Sequence, residues 1–246
     1  MPGVPWLIVP TYDEVHNLEP LLAAASSVLA DAAGAHRILV VDDASPDGTG
    51  DLAAQLATRS DSVAVMHRPT REGLGPAYLA GFAAALDGGA EFVLQMDADF
   101  SHDPADLARL LTEAQAGTDV VLGSRYIAGG QVTAAWHPVR RAVSRAGCLY
   151  ARTVLGHQVR DLTGGMKCFR ASALKAIEPA TVRSRGYAFQ VEMTDRALRR
   201  GLTLREIPIF FGPRRHGTSK MSPWIALEAA WRVPAMRWRG QRPGRR

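Results

Sequence analysis

Short apolar runs alternate with longer Ala- and Leu-rich stretches of helical period through the first half of the chain. The runs over 5–10 (PWLIVP), 37–42 (RILVVD), 62–67 (SVAVMH), 91–97 (EFVLQMD) and 119–123 (DVVLG) predict strands. Helices are predicted between them, over 17–31, 49–58, 74–86 and 104–115. Because these strands are continuously apolar, both faces of their sheet must be covered. The pattern therefore implies an α/β fold with a mostly parallel central sheet flanked by crossover helices. The second half is less regular. It predicts a basic helix over 138–155, a Gly-rich turn DLTGGMKCF, a helix over 187–200, a strand over 204–211 (LREIPIFF), a loop GPRRHGTSK and a last helix over 222–233.

In a parallel α/β sheet, ligands bind at the carboxyl ends of the strands. Polar clusters follow each of the first five predicted strands: PTYDE, DDASPDGT, REGLG, DADFSHD and SRY. An extended segment would put Asp97 and Asp99 on one side of the chain. Two close carboxylates repel, and a divalent cation such as Mg²⁺ or Mn²⁺ relieves this while completing its shell with substrate phosphates. Asp103 and Ser101 have a plainer alternative as caps of the helix that Pro104 opens. Asp42 and Asp43 form a second acidic pair able to accept hydrogen bonds from a base or ribose. Asp47 and Thr49 read as turn and cap residues. The first strand is followed by PTYDEVHN, without the G-x-G-x-x-G of a dinucleotide fold, and no P-loop sequence occurs.

Composition and charge sharpen this picture. With 246 residues and 47% hydrophobic content the chain suits one large domain, divided here only into 1–221, which holds all the strand-end polar clusters, and 222–246, a C-terminal amphipathic helix with a basic tail belonging to the same domain. Its two cysteines, Cys148 and Cys168, fit neither a metal pair nor a disulfide framework and suit a reducing, cytoplasmic setting. No apolar stretch reaches membrane-spanning length, and the N-terminus reads as a first strand rather than a signal peptide. The net charge of +5 is concentrated at Arg232, Arg237, Arg239, Arg242, Arg245 and Arg246. Trp224, Trp231 and Trp238 recur every seven residues, with Leu227 between, so a helix would align them in one stripe facing either a membrane interface or the protein's own core. Pro234 is expected to kink or end that helix.

The ordered motifs PTYDEVHNL, VVDDASPDGT, REGLGPAYLAGF, MDADFSHDP, GSRY, DLTGGMKCF, GYAFQVEM and RRHGTSKM resemble those of family 2 inverting glycosyltransferases, and more narrowly the polyprenol-phosphate (dolichol-phosphate) mannose synthases. The resemblance covers nearly the whole chain. It implies a GT-A-type nucleotide-sugar-binding fold, GDP-mannose as donor, a polyprenyl phosphate as acceptor, and Mg²⁺ or Mn²⁺ held by Asp97 and Asp99 around Ala98. Ser101, two positions after the motif and where some relatives carry glutamine, is the third candidate for the metal shell. Pro10, Tyr12 and Glu14 would cradle the guanosine with help from Asp42, and Asp13 stands where asparagine is more usual. Arg125 would lie beside the reacting phosphates, with Arg140 and Ser144 as acceptor-phosphate ligands. Arg214 and Lys220 would belong to a loop closing over the donor diphosphate.

The implied reaction is a direct displacement: an acceptor phosphate oxygen attacks the anomeric carbon, GDP leaves, and an α-linked donor gives a β-linked product. Asp99, Arg125 and Lys220 carry the chemistry in this reading. The resemblance also implies an enzyme peripheral on the cytosolic face, resting on anionic lipid and held there in some relatives by a small membrane-protein subunit. The nearest alternative within enzymes is transfer from UDP-glucose or another sugar nucleotide. From another class, a basic nucleic-acid-binding module is disfavoured, because aromatic and basic residues do not interleave and no recognition-helix signature is present.

Overall fold

The computed structural model describes residues 3–184, 186–217 and 231–238. The first half follows the expected alternation closely. Strands β1 (Pro5–Thr11), β2 (Arg37–Asp42), β3 (Val63–His67), β4 (Phe92–Gln95) and β5 (Val120–Ser124) are separated by helices α1 (Val15–Ala33), α2 (Thr49–Arg59), α3 (Leu74–Asp87) and α4 (Asp106–Gln115). A short strand β6 (Gln131–Val132) and the basic helix α5 (Pro138–Leu155) follow. The remainder comprises β7 (Lys167–Arg170), α6 (Ala171–Ile177), a 3₁₀ turn over Pro179–Thr181, α7 (Gly186–Arg199), β8 (Leu204–Pro208) and β9 (Phe210–Phe211). Residues 231–238 are helical on both sides of Pro234, so of the two effects expected of this proline, ending the helix is not the one observed.

Seven strands form one sheet in the order β3-β2-β1-β4-β7-β5-β8, and β6 pairs with β9 apart from it. All pairings are parallel except those of β7, which runs antiparallel to both β4 and β5. This overturns the reading of DLTGGMKCF as only a turn. The segment turns at Gly164–Gly165 and then enters the centre of the sheet, with Lys167 opposite both Gln95 and Leu122. The expected single strand over 204–211 is two: Leu204–Pro208 pairs with β5, and Phe210–Phe211 leaves to pair with β6. A proline ending the first piece, unable to donate to a ladder, fits this break.

Apolar side chains fill both faces of the sheet. Leu18, Leu21 and Leu29 of α1 and Leu107, Leu110 and Leu111 of α4 pack on one face. Tyr78 and Phe82 of α3, Leu174 and Ile177 of α6, and Phe189 and Met193 of α7 pack on the other. A third cluster joins Ala151 and Leu155 of α5, Val191 of α7, and Val233 and Met236. With each face sealed by helices, the carboxyl ends of the strands are left to carry the polar chemistry.

Candidate active site

Three adjacent strand exits share an unusual backbone. Asp13 after β1, Ala44 after β2 and Phe100 after β4 all have positive φ, at 54°, 59° and 59°. For a bulky residue such as Phe100 this conformation costs on the order of 1–3 kcal/mol and persists only where the surroundings over-determine it. Asparagine and aspartate tolerate it best, which explains physically why position 13 carries one of that pair.

At the first two exits the acids are largely engaged with the protein. Asp42 is buried and accepts Thr11 Oγ1 at 3.0 Å, Ser45 Oγ at 2.6 Å and the Ser45 N–H at 3.1 Å. Asp43 turns the other way, pairing with Arg68 at 2.5 Å and accepting the N–H groups of Glu72 and Gly73. The expected acidic pair is therefore divided: Asp42 braces its own exit and Asp43 ties down the REGLG turn. Asp47 accepts the Thr49 N–H at 3.0 Å and the Val15 N–H at 3.2 Å, as a turn residue should. Pro10 and Glu14 are buried, Glu14 accepting Asn17 Nδ2 at 2.7 Å, and the Tyr12 ring lies 3.8 Å below the Arg71 guanidinium.

The fourth exit is a turn rather than an extended segment, because β4 stops at Gln95. Asp97 accepts the Tyr78 hydroxyl at 3.0 Å, and Ala98 behind it is buried. Asp99, also buried, accepts the Ser101 N–H at 2.9 Å and pairs with Arg214 at 2.9 Å. The carboxylates remain close enough to interact: burial raises the Asp97 carboxyl above its ordinary value and Asp99 raises it further, against the pull of His102. Burial and Asp97 together push the Tyr78 phenol well up, so it stays a donor. Asp103 accepts the Ala105 N–H within the turn before α4, but the helix begins at Asp106 with Ala105 at its cap position, so neither Asp103 nor Ser101 caps it as expected.

These residues fit a divalent cation that takes the rest of its shell from a substrate. Asp99 already attracts a cationic group, and the buried Ser101 Oγ beside it has no hydrogen-bond partner. Among the described residues no three His, Cys, Asp or Glu side chains gather into a self-sufficient cage. Two carboxylates with open positions are what a phosphate-bridging Mg²⁺ or Mn²⁺ uses.

Arg125, at the β5 exit, is not a free cation. Its guanidinium forks onto Asp161 with two 2.7 Å contacts, its N–H reaches the same carboxylate at 2.9 Å, and Nη2 donates to Thr163 at 2.8 Å. Burial alone would raise the Asp161 carboxyl, but Arg125 overrides this and holds it below its usual range. Burial and Asp161 push the neighbouring Cys148 thiol up to about 11, leaving it inert. Asp161 is a site residue with no assignable chemistry in the sequence, where it stands 36 positions from its partner. Ser144 accepts the Tyr126 hydroxyl at 2.6 Å, which ties α5 to this exit, and Arg140 lies 4.0 Å over the Trp136 ring. Between β5 and α5 opens a cavity of about 390 Å³ whose lining includes Arg125, Arg145, Arg152 and Arg160 together with Ile127 and Leu149. A larger cavity of about 540 Å³, between α7 and residues 231–238, has its arginines 196, 199 and 200 already paired with Glu192, Asp195 and Glu178.

The loop expected to close over a donor is described as far as Gly217, and it lies on the acid turn. Gly212 N–H donates to Ser101 O, Arg215 N–H to Asp99 O, and Asn17 Nδ2 to His216 O. Lys220, Trp224 and Leu227 lie outside the described residues. Large exposed apolar side chains among the described residues are Val139, Val143, Leu149 and Tyr150 on α5, Phe210, Trp231 and Trp238.

The family model for glycosyl transferase family 2 matches residues 6–178. The chain is 46% identical over 239 residues to an undecaprenyl-phosphate mannosyltransferase of Micrococcus luteus, covering 96% of each. It is 43% identical over 236 residues to a polyprenol monophosphomannose synthase of Mycolicibacterium smegmatis, covering 96% of this chain and 87% of the relative. In fold it resembles glucosyl-3-phosphoglycerate synthase from Mycobacterium tuberculosis, solved in complex with Mn²⁺ and UDP-glucose. The TM-score is 0.69 at 18% identity, over 99% of this chain and 81% of that one. The expected GT-A-type architecture is thus the observed one.

Proposed function

The chain belongs to glycosyl transferase family 2, and we propose that it transfers mannose from GDP-mannose to a polyprenyl phosphate, giving the β-linked polyprenyl phosphate mannose and GDP. The observation that carries this reading is the cavity beside Arg125, where arginines stand among apolar Ile127 and Leu149. A prenyl phosphate asks for both: guanidinium groups grip its phosphate, and apolar walls accept the start of its chain. The identities with the Micrococcus and Mycolicibacterium proteins support the same acceptor and sugar.

In this reading Pro10, Tyr12, Glu14 and Asp42 line the nucleoside end, and the acceptor phosphate sits among Arg125, Arg145, Arg152 and Arg160 of the cavity, with Arg140 and Ser144 on α5 outside its lining. A phosphate nucleophile is already ionised at neutral pH, so its oxygen attacks the anomeric carbon without a strongly activated base. Asp161 keeps the Arg125 fork in one orientation through the attack. A Mg²⁺ or Mn²⁺ held by Asp97 and Asp99, with Ser101 beside them, would neutralise charge on the departing diphosphate. Arg214, and Lys220 further along the same sequence motif, would add positive charge at the diphosphate, a contribution typically worth about 3–4 kcal/mol of barrier for one well-placed group.

The acceptor's lipid chain calls for a membrane surface. No helix among the described residues is long and apolar enough to cross one. Helix α5 contains four arginines and no acid, and it exposes Val139, Val143, Leu149 and Tyr150. It packs against residues 231–238, where Trp231 is 81% and Trp238 77% exposed. Apolar tips among arginines suit an anionic headgroup layer, and the enzyme docks there as a peripheral protein on the cytosolic face. The test is a donor screen with Mn²⁺ and a short polyprenyl phosphate in detergent. Sugar passes to lipid from GDP-mannose. Lipid labelled from UDP-glucose but not from GDP-mannose would overturn the donor assignment.

A further inference from the structure

The REGLGPAYLAGF stretch takes no part in the chemistry above, yet its side chains reach the acid turn. Gly75, Tyr78 and Gly81 follow one another at three-residue intervals on α3, along one helix face. A Cβ at Gly81 would stand 2.3 Å from Ile8 Cγ2, and one at Gly75 would stand 3.3 Å from Phe189 Cβ. Gly81 therefore lets α3 lie against β1 more closely than any side chain permits, and Gly75 eases its approach to α7. Tyr78 sits between them, fully buried, its ring stacked on Phe82 at 5.8 Å and on Phe189 at 5.9 Å. Its hydroxyl donates to Asp97 Oδ1 at 3.0 Å. The other oxygen, Oδ2, faces Gly165 and lies 3.3 Å from where a Cβ would stand there.

We propose that Tyr78 is a positioning residue for the cation site: it holds Asp97 by one oxygen so that the other stays turned toward the space kept open by Gly165. The inference rests on the assignment of Asp97 as a cation ligand made above. Two stacked rings leave the phenol no other orientation, and a carboxylate gripped at Oδ1 cannot rotate without breaking that bond. Partners behind a metal ligand typically change metal affinity by about 10–100-fold when removed. Gly75 and Gly81 act one step further back, by setting how near α3 comes.

Tyr78→Phe keeps the ring and removes only the donor. Its Mn²⁺ affinity, read by electron paramagnetic resonance of free Mn²⁺ with GDP present, is expected to fall by about tenfold or more. Activity should recover as Mn²⁺ is raised. A purely structural role predicts instead a lower melting temperature with unchanged Mn²⁺ affinity, and that result overturns the proposal. Gly165→Ala leaves Tyr78 intact while crowding Oδ2, and should also weaken Mn²⁺ binding in a protein that melts normally. Unchanged affinity in this variant would remove the role given to Oδ2. If the unaltered protein binds no Mn²⁺ with GDP present, the cation assignment itself fails and this proposal with it. Normal binding in the unaltered protein and in Tyr78→Phe alike overturns this proposal alone.

Discussion

Arg214 places Nη1 2.9 Å from Oδ2 of Asp99, so a loop cation rests on one of the two carboxylates assigned to a metal. The pair is sheltered, with the Asp99 side chain 4% and the Arg214 side chain 25% exposed. To supply the charge proposed for it at the donor diphosphate, this arginine has to exchange Asp99 for that diphosphate. Arg214→Ala should accordingly bind Mn²⁺ at least as well as the unaltered protein, since a competing cation is gone. Its kcat should nevertheless fall about a hundredfold or more, through lost charge on the leaving group. Steady-state kinetics beside a Mn²⁺ titration separate the two effects, and an unchanged kcat would place Arg214 outside the closed site.

Asp99→Asn removes charge while keeping an oxygen for the Ser101 N–H. The variant should fold and melt close to the unaltered protein, yet lose transfer by at least about a hundredfold, because a neutral amide is a poor ligand for Mg²⁺ or Mn²⁺. Excess EDTA should reproduce the loss and added Mn²⁺ reverse it. Full turnover in the variant, or in EDTA, would discard the metal assignment.

Trp231 and Trp238 are too exposed to be core residues, so changing both to Ser should leave the melting temperature nearly unchanged. Binding to anionic vesicles should weaken, each inserted indole contributing on the order of 2 kcal/mol. Transfer to a short soluble prenyl phosphate should survive while transfer to long polyprenyl phosphate in membranes drops. Sedimentation with vesicles checks this directly, and a lowered melting temperature with intact vesicle binding would contradict it.

Lys167 gives stability an unusual pH dependence. It is fully buried in the sheet, donating to Gly164 O at 2.8 Å and to the Gln190 side chain, and burial brings its ammonium down to about 7. The unfolded chain holds that proton up to an ordinary lysine value, so between about pH 7 and 10 it binds more protons than the folded one. Stability from this group is therefore least below pH 7 and rises with pH across that window, by on the order of a few kcal/mol. Urea melts at pH 7 and pH 9.5 should show the rise, and Lys167→Met should flatten it. An equal rise in the variant would assign the effect to other groups.

The elements around the site differed in how far they could be read from sequence. The exits of β1, β2, β4 and β5 were legible because each apolar run ends abruptly in polar residues, and a parallel sheet brings such ends together. Strand β7 was not, since four residues beginning with Lys167 and ending with Arg170 carry no period, and only β4 and β5 on either side make them a strand. The division of 204–211 was hidden for the same reason: β6, the partner that draws Phe210 and Phe211 away, is itself two residues long. Asp161 and Tyr78 escaped assignment because their partners, Arg125 and Asp97, lie 36 and 19 positions away. Nothing local in either motif announces a buried pair.

The most direct test of the account follows the sugar itself. Purified protein, Mn²⁺, a short polyprenyl phosphate and GDP-mannose labelled with ¹³C at the anomeric carbon should yield GDP and a mannosyl lipid in equal amounts, with the NMR signals of a β-linked phosphodiester. An α-linked product would contradict single displacement by the acceptor phosphate. Release of free mannose without any lipid product would contradict the assignment of the arginine-lined cavity to a prenyl phosphate.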